Sequence, residues 1–117
     1  MTDREMLELA AKAAGVELIQ MPPGVYRNAT GAKPENNAFG LPTWNPLTDD
    51  GDALRLACTL RINIEHAETL SRKAHGVNCW PVGRGDCGHM EKDLADYPAA
   101  TRRAIVRAAA EIGKGMK

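Results

Sequence analysis

The sequence predicts an α+β domain, with three helices packed on a mostly antiparallel sheet of three to four strands in the order α-β-β-α-β-β-α. Three observations carry that prediction. Apolar residues recur at helical spacing in three stretches, near residues 3–14, 49–60 and 98–116. Short extended runs lie between them, at residues 16–20, 25–27, 62–65 and 77–82. At 117 residues the chain has the size of one domain, 1–117, and is too short for two independent cores.

Each element has its own justification. Thr2 and Glu5 are spaced as a capping box, with Met1 and Met6 at the positions of a hydrophobic staple. Met6, Leu9 or Ala10, and Ala13 follow at helical spacing, and Gly15 supplies a left-handed terminator, so a helix is expected over residues 3–14. Val16-Glu17-Leu18-Ile19-Gln20 then runs extended. Pro23-Gly24 fits the centre of a type II turn, and Val25-Tyr26-Arg27 returns as a second strand. Residues 29–43 hold four Gly/Pro and two Asn without periodicity, which reads as a long surface loop.

Thr48 or Asp49 caps the second helix, and Asp49, Asp50 and Asp52 suit the positive end of its dipole. Its expected apolar stripe is Ala53, Leu54, Ala57, Cys58 and Leu60. Ile62-Asn63-Ile64-Glu65 alternates with period two, as a half-buried strand does. Val77-Asn78-Cys79-Trp80-Pro81-Val82 is its partner, with Pro81 placing itself at an edge or a strand end. A short extended piece is expected near His89-Met90. The last helix takes Pro98 in its first turn and aligns Ile105, Ala109, Ile112 and Met116.

Composition bounds function. Fifteen Lys+Arg balance fifteen Asp+Glu, which argues against a protein built to grip a polyanion. One Phe, two Trp and two Tyr supply a base-stacking surface poorly. The charged opening Met1-Thr2-Asp3-Arg4-Glu5 does not read as a signal peptide, and no run is long and apolar enough for a membrane span. Three cysteines are an odd number, sparse for a disulfide scaffold, and point to the reducing cytoplasm.

Four side chains invite a metal reading: His75, Cys79, Cys87 and His89, since zinc accepts two thiolates and two imidazoles tetrahedrally. Their spacing fits no zinc knuckle, and Cys79 reads more readily as a small core hydrophobe with Cys87 and His89 on a solvated turn, so no cofactor is expected, with zinc as the alternative. Gly83-Arg84-Gly85-Asp86-Cys87-Gly88 matches the letters of a dinucleotide loop. Yet Pro98 delays the helix that should open at once, and Ala108 stands where the acidic ribose ligand is expected. Cys87 with His89 or His75 can be drawn as a nucleophile and base, as any chain with three Cys and three His allows. Arg102, Arg103, Arg107, Lys114 and Lys117 against Glu111 make the last helix basic. That face suits phosphates or an acidic protein, or is simply the solvated side opposite the Ile105 stripe.

Three segments carry a resemblance: Asp3-Arg4-Glu5-Met6-Leu7-Glu8-Leu9-Ala10-Ala11-Lys12-Ala13-Ala14-Gly15, Trp44-Asn45-Pro46-Leu47-Thr48-Asp49-Asp50-Gly51-Asp52-Ala53-Leu54-Arg55-Leu56-Ala57, and Thr101-Arg102-Arg103-Ala104-Ile105-Val106-Arg107-Ala108-Ala109-Ala110-Glu111-Ile112-Gly113. Together they resemble small tailed-phage and prophage proteins grouped as a phage α/β/α sandwich domain. The resemblance implies a phage or prophage origin, the bacterial host cytoplasm, and helices packed on both faces of an antiparallel sheet. It brings no activity and no catalytic residues. The Ile62/Ile64 against Asn63/Glu65 alternation points instead to one wet face. The function expected is therefore a non-catalytic accessory binding protein acting on a host or phage protein. Its surface is drawn from the 29–43 loop with Trp44, the 83–90 turn with Arg84, and Trp80 as aromatic anchor. The alternatives are a small-molecule or nucleotide-sequestering protein, and a weak nucleic-acid module using Arg103 and Arg107.

Overall fold

The computed structural model describes residues 2–20, 25–30, 41–68, 75–81, 89–91 and 97–116. Helix α1 spans Asp3–Ala14, the range its caps predict. The Glu5 N–H donates to Thr2 Oγ1 at 3.1 Å, and Gly15, at φ 73, turns its N–H back onto the Ala11 and Lys12 carbonyls. Met6, Leu7, Ala10 and Ala11 form its buried face. Strands β1 (Leu18–Gln20) and β2 (Tyr26–Asn28) then pair antiparallel, with Ile19 opposite Arg27. Residues 41–44 lie along the other side of β2, and most of the expected 29–43 loop, like the expected Pro23-Gly24 turn, falls outside the described residues. Arg27 bridges Thr43, the Asn28 N–H donates to the Pro42 carbonyl at 2.9 Å, and the Trp44 N–H donates to the Tyr26 carbonyl at 2.8 Å.

Helix α2 (Asp50–Leu60) starts at Asp49, whose carboxylate accepts the Asp52 N–H at 2.8 Å. It stops at Arg61 in the left-handed conformation, φ 53, without a glycine, at a cost of roughly 1 kcal/mol. The inward face is Asp52, Ala53, Leu56 and Ala57. The expected stripe is thus partly out of phase, because Leu54 is 61% exposed and Cys58 is exposed.

Strands β3 (Ile62–Glu68), β4 (His75–Pro81) and β5 (His89–Glu91) form a second antiparallel sheet in the order β3-β4-β5. Pro81 closes β4 at its end, where its missing N–H costs least. Helix α3 (Tyr97–Lys114) completes the chain. The α+β class and the predicted element order hold, and the short extended piece expected near His89-Met90 is β5. The single sheet of three to four strands does not. The strands divide into a two-stranded and a three-stranded sheet, because β2 takes the 41–44 segment as its neighbour instead of a strand of the second half.

Helix α3 is the centre of the molecule, touching α1, α2 and all three strands of the larger sheet. Ala100, Ala104, Ile105, Val106, Ala108, Ala109 and Ala110 are all buried. A helix apolar around most of its circumference belongs inside. Helices α1 and α3 run in the same direction, since Asp3 meets Arg103 at one end and Lys12 Nζ donates to the Met116 carbonyl at the other. They approach so closely that Gly113 lies against the Leu9 backbone.

Candidate functional site

Alternation along β4 shows which side of the larger sheet the helices cover. Val77 and Cys79 are fully buried, whereas Asn78 and Trp80 between and beside them are only half-buried. Cross-strand partners share a face. The register sets Ile64 opposite Cys79 on the helix side, and Asn63 opposite Trp80 and Glu65 opposite Asn78 on the other side. That second face therefore presents an indole beside two amides and an exposed carboxylate. Trp80 is where the sequence predicts an aromatic anchor, and the structure leaves it partly open.

Trp44 belongs elsewhere. It is 6% exposed and part of the core, so it is no element of an outer binding surface. The chain around it is a knot of structural bonds. The Asn45 N–H donates to Asp52 Oδ2 at 2.9 Å, and the Leu47 N–H to Asn45 Oδ1 at 3.0 Å. Arg55 donates to Asp52 Oδ1 at 2.7 Å. Arg102 reaches across from α3, giving its Nε to the Leu47 carbonyl at 2.9 Å and a terminal nitrogen to Asp50 at 2.6 Å. Each acidic residue of the run thus has its own structural task. Asp49 caps α2, Asp50 holds α3, and Asp52, only 8% exposed, ties the turn to the helix. The most distinctive stretch of the sequence is scaffold.

Beside this knot lies a cavity of about 380 Å³ whose walls include Val16, Asn28, Trp44, Asp52, Arg55 and Thr59. Its walls combine apolar and polar side chains, as small-molecule sites do. Both Asp52 oxygens accept hydrogen bonds, from the Asn45 N–H and from Arg55, so this carboxylate ties the turn to the helix.

The basic helix is less open than its letters suggest. Arg103 pairs with Asp3 at 3.1 Å, Arg102 is a clamp only 17% exposed, and Arg107 is half-buried with its Nε enclosed. Val106, Ala110 and Gly113, which flank the Ile105 stripe, are buried as well, so the interior face of α3 is wider than expected, and the side opposite Ile105 carries Arg103, Arg107 and the exposed Lys114. Sequence reasoning missed these clamps because their partners lie far away in the chain. Only the unusual density of arginine beside buried alanine hinted at them.

Of the four metal candidates, Cys87 lies outside the described residues, as does Arg84 of the predicted binding surface. His75 and Cys79 sit four residues apart on β4, hence about 13 Å along the strand. The register sets His89 opposite Cys79. Among the described residues no group of three or more His, Cys, Asp or Glu is placed to hold a metal ion.

Burial pushes the Cys79 thiol up to about 12 from an ordinary 9.0. The folded state therefore keeps its proton through a range in which the unfolded chain releases it. This contribution to stability is intact below pH 9.0 and is lost as pH rises toward about 12. Between those limits the cost approaches roughly 1.4 kcal/mol per pH unit. Urea midpoints measured from neutral to alkaline pH should fall more steeply for the wild type than for Cys79→Ala. Parallel slopes would contradict the burial of a neutral thiol.

Among the described residues no helix is long and apolar enough to cross a membrane. Comparison with known proteins returned no matching family model, no matching curated protein and no matching solved structure.

Proposed function

We propose that this chain is a non-catalytic binding protein, a phage or prophage accessory protein that acts in the bacterial cytoplasm on a host or phage protein. We place its contact surface on the open face of the β3-β4-β5 sheet. One observation carries the reading: Trp80 stands half-buried on the sheet side opposite buried Cys79, next to Asn63 and Asn78. Tryptophan is the side chain most often found as an interface hot spot, and a ring of polar neighbours is the usual setting for one. The phage origin rests on the three resembling segments, and the cytoplasm on the cysteine content. Even charge, fifteen against fifteen, with Arg102 and Arg103 committed to internal pairs, favours a protein partner over a nucleic acid.

A second reading has its own support. The cavity walled by Trp44, Asp52 and Arg55 has the volume for a small metabolite, which would make the chain a sequestering protein.

The test is comparative capture from bacterial host lysate. Wild-type protein, Trp80→Ala and the cavity-wall variant Thr59→Trp are immobilised in parallel, and retained proteins are quantified. A specific protein should be retained by wild type and by Thr59→Trp and lost with Trp80→Ala, by about 30-fold or more in affinity. Retention that is indifferent to Trp80 overturns the sheet-face reading. Loss of capture on filling the cavity, together with ligand-dependent thermal stabilisation of the wild type, favours the second.

A further inference from the structure

We infer that β3 is the seam of a homodimer, in which the edge strands of two copies pair antiparallel about a two-fold axis at Ile64. Among the described residues β3 pairs only with β4, so it forms one edge of the sheet. The two edges are treated unequally. β5 is three residues long, whereas β3 has seven, with no proline and no lysine in its run. Natural proteins blunt an edge that must stay single by shortening it, kinking it or placing lysine or proline on it. β5 follows that rule by its shortness, whereas β3 is long and unbroken, with Glu65 and Glu68 as its only carboxylates.

Beside β3 runs an apolar groove of about 350 Å³ bordered by Leu54, Ile64, His66, Pro98 and Ile105. Leu54 is 61% exposed and Ile64 38% exposed, two large aliphatic side chains that both border this groove. The misplaced stripe of α2 acquires a purpose here, since Leu54 points at the groove and not at the core.

Polar complementarity selects a second copy as the occupant and fixes the register. Antiparallel partners must share a face, so a two-fold pairing of β3 centres on a residue. Centred on Glu65, it would set two carboxylates against each other. Centred on Ile64, it pairs Ile64 with its own copy, Ile62 with the second copy's His66, and Asn63 with the second copy's Glu65. In that register each Glu65 carboxylate faces one Asn63 amide of the other copy, so the pair forms once on each side of the axis, and the two Ile64 side chains meet above Leu54. The result is one continuous six-stranded sheet, three strands from each copy, that sets the two Trp80 faces side by side.

Sedimentation equilibrium from about 1 μM to about 1 mM protein tests this. Wild type should show a reversible monomer–dimer equilibrium, and Ile64→Lys should weaken it at least about 100-fold with helical circular dichroism unchanged. Ile64→Cys, in a Cys58→Ser, Cys87→Ser background, supplies a second readout. Paired centre positions lie about 4.5–5.5 Å apart, within disulfide reach, so mild oxidation should lock the dimer whether or not Ile64→Lys folds. Wild type monomeric throughout, Ile64→Lys folded and dimerising as tightly as wild type, or failure of Ile64→Cys to cross-link would each overturn the proposal.

Discussion

Replacing Trp44 by alanine should lower the unfolding free energy by about 3–5 kcal/mol, the largest loss expected from any single truncation in the chain. Trp44 is 6% exposed, and the next turn residue but one, Pro46, is fully buried. Its backbone N–H is held by the Tyr26 carbonyl, so the ring cannot follow a collapsing cavity without breaking the contact between β2 and the 41–44 segment. Truncation therefore leaves a void that nearby Leu56 and Val16 fill incompletely. Small domains have about 5–15 kcal/mol in total, so the variant should fold at low temperature with a much reduced urea midpoint. A tryptophan serving as an exposed partner anchor would behave in the opposite way, losing binding at little cost in stability.

Gly113→Ala should destabilise by about 2–3 kcal/mol, against the usual sign for this substitution inside a helix. Alanine is ordinarily about 1 kcal/mol better than glycine in a helix interior. At Gly113 the added methyl carbon would collide with the Leu9 carbonyl oxygen and lie 2.8 Å from its carbonyl carbon. Those are backbone atoms of α1, so no side-chain rotation relieves the clash, and the helices must move apart. Separation would strain both the Asp3–Arg103 pair and the Lys12 bond to the Met116 carbonyl. Gly51→Ala is the control. Its methyl would approach the side-chain ends of Asp49 and Arg55 at 3.2 and 3.3 Å, contacts that need give by only a few tenths of an ångström, so its effect should be small. A thermal melt of the three proteins decides the matter, and a Gly113→Ala variant as stable as wild type would refute the close approach.

Local signals in the chain were read correctly where the physics is local. The Thr2 cap, the Gly15 terminator, the Asp49 cap and the period-two run at Ile62 each act within a few residues, and each lies where its letters place it. What was illegible depends on distant partners. Arg102 and Arg103 read as a solvated face because Asp50 and Asp3, which hold them, are 52 and 100 residues away. The second buried face of α3 went unseen because alanine is apolar enough for an interior and polar enough for a surface, and only the contact with Leu9 decides which. The division of the sheet was hidden for a related reason. The neighbour of β2 is the 41–44 segment, which has no alternation to announce it. Of the candidate site, Trp80 was legible as an aromatic in a strand. Its exposure was not, since that depends on which face Val77 and Cys79 turn to α3.

The central claim is that the helices cover one face of the larger sheet and leave Trp80 accessible on the other. Acrylamide quenching of the two tryptophans tests it most directly. In Trp44→Phe, the remaining Trp80 should emit at longer wavelength and be quenched readily. In Trp80→Phe, the remaining Trp44 should emit at shorter wavelength and resist quenching. A Trp80 quenched no faster than Trp44 would show the sheet covered on both faces, and the proposed binding surface would be gone.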